Sequence, residues 1–257
     1  MKACAFDYER PRDVDGALHF LADENSKILA GGQSLGPMLN LRVIQPSLLV
    51  DLRHVEELKA VTDEKDSVTF GACVTHADIE DGRVPDPTGG FMREIASNIA
   101  YRAVRNRGTV GGSLAHADPA ADWPSALTLL GAVANIAGPA GRREIAMEGF
   151  FTGLFETALT PREILTAVRI PKRSRATRYG YWKFCRKAGE FPQAIGGALC
   201  DPERDETRSV IGATSGAPKL FLDLHPAAAD FATISKDAYS RQLHTVALKR
   251  AVAKVLS

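Results

Sequence analysis

Two short segments carry the residue types from which a ligand site can be built. The first is Ala30-Gly31-Gly32-Gln33-Ser34-Leu35-Gly36-Pro37. The second is Arg107-Gly108-Thr109-Val110-Gly111-Gly112-Ser113-Leu114-Ala115-His116-Ala117-Asp118. Paired glycines permit positive φ and remove the Cβ atoms that keep a ligand away from backbone N–H groups. Successive amides presented this way form a concave nest for an anion, and neighbouring serine or threonine hydroxyls add donors. The usual phosphate fingerprints fit neither segment. A dinucleotide G-x-G-x-x-G needs glycine where Gln33 stands, and a P-loop needs lysine where Gly36 is followed by Pro37 and Met38. Two loops about eighty residues apart can clasp a diphosphate from both sides, but two unrelated tight turns would leave the same trace.

Composition narrows the context in which such loops work. The 257 residues fit one large domain or two to three modest ones, at ~100–200 residues per domain. Lysine and arginine number 32 against 31 acids, a net charge of +1, and no arginine-rich stripe suggests a nucleic-acid surface. No apolar run approaches the ~20 residues of a membrane span, and the N-terminus turns charged too early for a secretory signal. The expectation is a cytoplasmic globular protein. Cys4, Cys73, Cys185 and Cys200 are scattered, without C-x-x-C or histidines at zinc spacing. No metal site is therefore expected on this chain, and any electrons it handles must travel on a group other than a cysteine-bound metal.

The elements that must position the loops can be read from periodicity. Strands are expected at Lys2 to Phe6, Lys27 to Ala30 and Ser47 to Leu52, with a helix capped by Asp13 between the first two. A hairpin turns at Asp63 to Asp66, and a short helix starts at Thr75 or Asp78. Helices follow at Phe91 to Ala100 and Pro119 to Gly131, then a hairpin turning at Gly138 to Gly141 and a strand from Glu163 to Ile170. Lys172 to Arg178 is polar and basic, reads as a solvated linker, and marks the best domain boundary. Beyond it come three strands (Tyr179 to Arg186, Gln193 to Cys200, Thr207 to Thr214) and two helices (Lys219 to Ala232, Ala238 to Leu256).

The two glycine segments resemble those of the FAD-binding medium subunit of the molybdenum hydroxylases, the carbon monoxide dehydrogenase and xanthine dehydrogenase group. That family has an A-G-G-x-S-L loop near its N-terminus and a T-[IV]-G-G-[NS]-x-A-x-A-D-P loop about eighty residues later. Here they stand as Ala30 to Leu35 and Thr109 to Pro119. Leu39-Asn40-Leu41-Arg42, Leu48 to Leu52, Glu163-Ile164-Leu165 and Lys183 to Glu190 match as well, so the resemblance covers nearly the whole chain.

The resemblance implies an α+β fold. A two-subdomain FAD-binding domain of the vanillyl-alcohol oxidase (PCMH) type is followed by a small C-terminal α+β domain with a three-stranded sheet plus helices. The expected divisions are residues 1–54, 55–172 and 173–257. It also implies non-covalent FAD, with Ala30, Gly31, Gly32, Gln33, Ser34 and Leu35 on one side of the diphosphate and Thr109, Gly111, Gly112 and Ser113 on the other. Asp122 aligns with an acceptor for ribityl hydroxyls, the backbone near Leu165 with a strip along the isoalloxazine, and Lys183 with a lysine reaching it from the C-terminal domain. Such a lysine would stabilise anionic reduced flavin and raise its potential. Departures from the family lie at Glu190, where aspartate is common, at Ala217-Pro218-Lys219-Leu220, where a proline–arginine signature is missing, and in the short C-terminal region.

Other residues invite different readings. His116 and Asp118 have the types of a base and its orienting carboxylate, but no nucleophile accompanies them, so backbone or cofactor contact is expected. His76 and Asp78 are read as helix-capping residues. Tyr101 to Arg107 is basic enough for phosphate, a solvated helix end or a partner surface; Trp123 and Trp182 are read as packing residues. The leading functional reading is an electron-transfer subunit that receives electrons from a small [2Fe-2S] subunit, with molybdopterin on a large subunit, in a dimer of heterotrimers. The alternative is a self-sufficient FAD oxidase or dehydrogenase, for whose substrate domain the region after residue 172 leaves little room. A protein–protein module with mere turns is the third.

Overall fold

Three short parallel strands open the chain in the computed structural model: β1 (Asp7–Glu9), β2 (Ser26–Leu29) and β3 (Leu48–Asp51), in spatial order β1-β3-β2. The structure describes residues 2–227, 231, 233–235 and 237–257. The strand expected at Lys2 to Phe6 forms instead at Asp7–Glu9, because its ladder partner starts only at Leu48 and gives the earlier residues nothing to pair with. Asp13 caps α1 (Val14–Phe20) by accepting the Gly16 amide at 2.7 Å. Val14, Ala17 and Leu21 of this segment pack on Val50 and Leu52 in a small separate core. After β2 the chain turns through Gly31 to Ser34 into α2 (Leu35–Asn40).

The second layer is a five-stranded sheet in the order β4-β5-β10-β6-β7, built from β4 (Val61–Asp63), β5 (Ser67–Gly71), β6 (Val133–Gly138), β7 (Gly141–Ala146) and β10 (Ile164–Pro171). Both expected hairpins are present, β4 with β5 and β6 with β7. Between them run α3 (His76–Glu80), α4 (Phe91–Ser97), α5 (Arg102–Arg105), α6 (Val110–His116) and α7 (Asp122–Leu130). Every residue of α7 is buried, and Gly131 ends it at φ +66°, the left-handed conformation glycine adopts without strain. A short helix α8 (Met147–Phe150) leads into a two-stranded pair, β8 (Phe151–Gly153) and β9 (Glu156–Thr157), which periodicity does not reveal.

The last part of the chain is a sheet of four strands, not three: β11 (Arg178–Phe184), β12 (Ala194–Asp201), β13 (Glu206–Gly212) and β14 (Lys219–Phe221). Lys219 to Phe221 was expected to begin a helix. It pairs with Ser209 to Ile211 instead, where the open edge of β13 supplies ladder partners. The rest of that expected helix falls partly on residues 228–230 and 232, outside the described residues. The terminal helix α9 (Ala238–Leu256) lies on this sheet where small residues allow it; a Cβ built at Gly180 or Gly196 would overlap the α9 backbone.

The segment from Lys172 onward is tied down more firmly than a solvated linker. The Arg173 side chain is buried, ion-paired with Glu206, and donates to Leu130 O at 3.0 Å. Ser174 gives both its amide (3.1 Å) and its hydroxyl (2.6 Å) to Asp201. Arg208 donates to Thr128 O at 3.1 Å. Two arginines thus meet the last carbonyls of α7, where positive charge is favoured.

Candidate functional site

The two glycine segments meet. A Cβ built at Gly31 would overlap the Arg107 carbonyl and lie 2.7 Å from Gly108 Cα, so only glycine fits there. A Cβ built at Gly112 would stand 3.5 Å from Ala30 Cβ. Two unrelated turns would not interlock in this way. β2 delivers the first segment to the C-terminal edge of its sheet, and an isolated bridge between Thr75 and Thr109 delivers the second to the same place. Gly32 stands at φ +72°.

The segments are not equivalent. In the first, the amides of Gly31, Gly32, Gln33 and Ser34 meet no acceptor among the described residues. Gln33 folds back so that Nε2 donates to Gly31 O at 3.1 Å. A run of open amides on a chain reversal is an anion nest. The second segment is the first turn of α6 rather than a loop. Thr109 is its N-cap, and Thr109 Oγ1 accepts the Gly112 amide at 3.0 Å. Val110 N goes to Val74 O (3.0 Å), Gly111 N to Ala72 O (2.9 Å) and Ser113 N to Thr109 O (3.0 Å). Gly111 therefore serves close packing, since a Cβ there would stand 2.7 Å from Ala72 O. What this wall offers a ligand is the Ser113 hydroxyl, partnerless among the described residues, beside a Cβ-free surface at Gly112. The symmetrical pair of amide cradles expected from the sequence is one amide cradle facing a hydroxyl-bearing wall.

Asp122 and Lys183 also come together, but with each other. Lys183 Nζ lies 2.8 and 3.0 Å from the two Asp122 oxygens and donates to Asn98 O at 2.8 Å. All three ammonium hydrogens are engaged, so the free lysine charge expected near the flavin is neutralised by Asp122 instead. Tyr181 OH donates to Asp122 Oδ1 at 3.1 Å. Burial pushes the Asp122 carboxyl up, against the pull of Lys183, and burial beside Asp122 pushes the Tyr181 hydroxyl well above its usual value. Asp122 Oδ2 has one recorded partner and keeps a lone pair for a further donor. A cavity of about 180 Å³ opens beside the pair, walled by Asn98, Tyr181 and Trp182. Arg250 of α9 lies 4.7 Å over the Trp182 ring, in keeping with a packing role for that residue.

The matching family model is the FAD binding domain in molybdopterin dehydrogenase, over residues 4–173. The chain belongs to this family. It is 37% identical over 220 residues to the nicotine 6-hydroxylase medium subunit of Paenarthrobacter nicotinovorans, covering 84% of this chain and 77% of that one. It is 35% identical over 191 residues to the carbon monoxide dehydrogenase medium chain of Hydrogenophaga pseudoflava, covering 74% and 67%. The solved structure of carbon monoxide dehydrogenase from Hydrogenophaga pseudoflava lacking the Mo-pyranopterin moiety superposes with a TM-score of 0.91 at 27% identity, over 100% of this chain and 99% of that one. The fold read from the resemblance is thus present, and the domain is one that binds FAD. Its residues fit that cofactor: four open amides in a cradle that a Cβ at Gly31 would disrupt are suited to a diphosphate.

The remaining candidates of the FAD domain take structural places. Leu165 is buried in the main core and pairs with Ile136 beside a bulge in β10. The His116 ring packs on Phe155 with centroids 5.2 Å apart, while Asp118 accepts the Ala120 amide at 2.9 Å. With different partners, the two form no base–carboxylate dyad. Thr75 and Asp78 form a full capping box, as expected of Asp78. His76 does not cap: it is buried beneath the second segment and accepts Trp123 Nε1–H on Nδ1 at 3.0 Å. Trp123 is fully buried, as a packing residue should be. The sequence did not single out Tyr181 or Asn98. Tyr181 alternates with Lys183 along β11, and only the fold brings either residue near Asp122.

Proposed function

We propose that this chain is the flavoprotein (medium) subunit of a molybdenum-containing hydroxylase or dehydrogenase. It works in the cytoplasm between a small [2Fe-2S] subunit and a large molybdopterin subunit, in a dimer of heterotrimers. The observation that carries this reading is the interlocking of the two glycine segments around the open amides of Gly31 to Ser34, in a chain of this family. FAD, when bound, supplies the exchange between single electrons from an iron–sulfur partner and the electron pair taken by an external acceptor.

The residues of this chain bind and orient. Gly31, Gly32, Gln33 and Ser34 would hold the diphosphate through their amides, with Ala30 and Leu35 fixing the turn at either end. Thr109, Gly112 and Ser113 form the facing wall, and Gly111 holds α6 against Ala72. The remaining lone pair of Asp122 would accept a ribityl hydroxyl, with Lys183 and Tyr181 holding the carboxyl in place. The backbone near Leu165 would border the ring system, and His116 and Asp118 close the far end of α6. Residues 1–54 and 55–172 would be the two halves of the FAD domain, and 173–257 the C-terminal domain.

Gentle purification of the tagged chain from its own host tests the reading. A yellow complex is expected, releasing FAD on denaturation and containing one chain with iron–sulfur absorbance and one with molybdenum. A solitary yellow chain that a small organic substrate bleaches would instead be a self-sufficient oxidase. A colourless, flavin-free chain would end the flavoprotein reading.

A further inference from the structure

The basic run from Tyr101 to Arg107 contains one side chain that is turned inward. The Arg105 side chain is only 12% exposed and makes four hydrogen bonds within the protein. Its Nε and Nη2 meet the two Glu80 oxygens at 2.7 and 2.9 Å, a fork on a carboxylate. Its Nη1 donates to two successive carbonyls, Ile99 O at 3.0 Å and Ala100 O at 3.1 Å. Glu80 is the last residue of α3, so the guanidinium ties the turn between α4 and α5 to a third helix.

That turn is strained. Ala100 stands at φ +42°, in the left-handed region that a residue with a Cβ occupies only where its surroundings hold it. Among the described residues, no other side chain bonds the Ile99 or Ala100 carbonyl. Two parts of the C-terminal region land on the same turn. Asn98 O, just before the clamped carbonyls, accepts from Lys183 Nζ at 2.8 Å. The loop after β11 lies against it too: a Cβ built at Gly189 would stand 3.0 Å from the Tyr101 ring and 3.3 Å from Ala100 O. The Lys183 ammonium is thus fixed at three points, the two Asp122 oxygens and Asn98 O. Without the third, it could swing over the carboxylate and cover the lone pair that a ligand needs.

We propose that Arg105 is a positioning residue: through the Asn98 to Tyr101 turn it fixes Lys183, and so keeps an Asp122 lone pair open to the flavin's ribityl chain. The inference rests on the flavoprotein reading above, with Asp122 as an acceptor, and adds the pair Arg105 and Glu80 that sets its geometry.

The test uses the full chain stripped of its flavin and titrated with FAD by flavin fluorescence, with circular dichroism to show that each variant is folded. Arg105→Gln should weaken FAD about fivefold or more, the range of a misaligned hydrogen bond to a charged group. Two backgrounds show whether that loss runs through the turn and the lysine. Glycine takes the left-handed form without a Cβ penalty, so adding Arg105→Gln to Ala100→Gly should cost less than about twofold. Lys183→Met has no ammonium to hold, and adding Arg105→Gln to it should likewise cost less than about twofold. A loss that stays full in either background, or no loss in the parent, would overturn the inference and leave FAD binding standing. Should Lys183→Met not fold, the Ala100→Gly pair decides alone. A parent chain that binds no FAD, or an Asp122→Ala chain that binds it unchanged, would remove the reading on which the inference rests.

Discussion

His76 and Trp123 stand 47 positions apart, yet they form one buried hydrogen bond beneath the second glycine segment. Burial, with Arg105 nearby, pushes the His76 imidazole down to about 4. Between pH 6.5 and 4 the unfolded chain therefore binds a proton that the folded chain does not, and stability rises with pH across that window. On the order of 2 kcal/mol should be lost by pH 5, from the ~1.4 kcal/mol carried by each pH unit of the gap. His76→Gln keeps an acceptor for Trp123 but cannot titrate. Its melting temperature, followed by circular dichroism from pH 7 to 5, should be lower at the start and flatter than the parent's. Equal slopes would show that His76 is not the titrating group. Glu163, held at about 2 chiefly by its hydrogen bonds to Arg143, adds a loss only below about pH 4.5, and adds it equally to both proteins.

At the scale of elements, the cradle exists because a strand end and a helix start come within van der Waals contact. Gly31 is the point of closest approach, and Gly111 does the same for α6 against Ala72. Gly31→Ala should displace the first segment from Arg107 and weaken FAD retention about tenfold or more, since a nest misplaced by an ångström loses its aligned donors. Equilibrium dialysis of the variant, with far-ultraviolet circular dichroism as control, checks this; unchanged retention would mean the diphosphate sits elsewhere. The sequence showed which residues were special here but not which amides were open. Thr109 turned a glycine loop into a capped helix, a decision made by where its hydroxyl found a donor.

For the whole molecule, the Asp122–Lys183–Tyr181 cluster fastens the C-terminal sheet to α7, with Asn98 after α4 as the third anchor for the lysine. Lys183→Met would leave a buried carboxylate without its cation, at a cost of about 3–5 kcal/mol. Adding Asp122→Asn should recover much of that loss, giving a coupling of roughly 2 kcal/mol or more in a double-mutant cycle read by urea unfolding. Additive effects would show that the two side chains do not depend on each other. Because Lys183 is paired, its replacement should move the flavin potential less than the loss of a free cation would.

The amino-acid sequence by itself determined the glycine segments and the alternation of most strands and helices, since both are local patterns of residue type. It also held the capping chemistry of Asp13 and of Thr75 with Asp78, where donor and acceptor lie within three residues. Tertiary structure decided what no local pattern contains. It set which edge of β13 stood open for Lys219 to Phe221, and which carboxylate consumed the charge of Lys183. Each of these depends on groups far apart in the chain competing for one partner, and that competition is settled only when the layers pack.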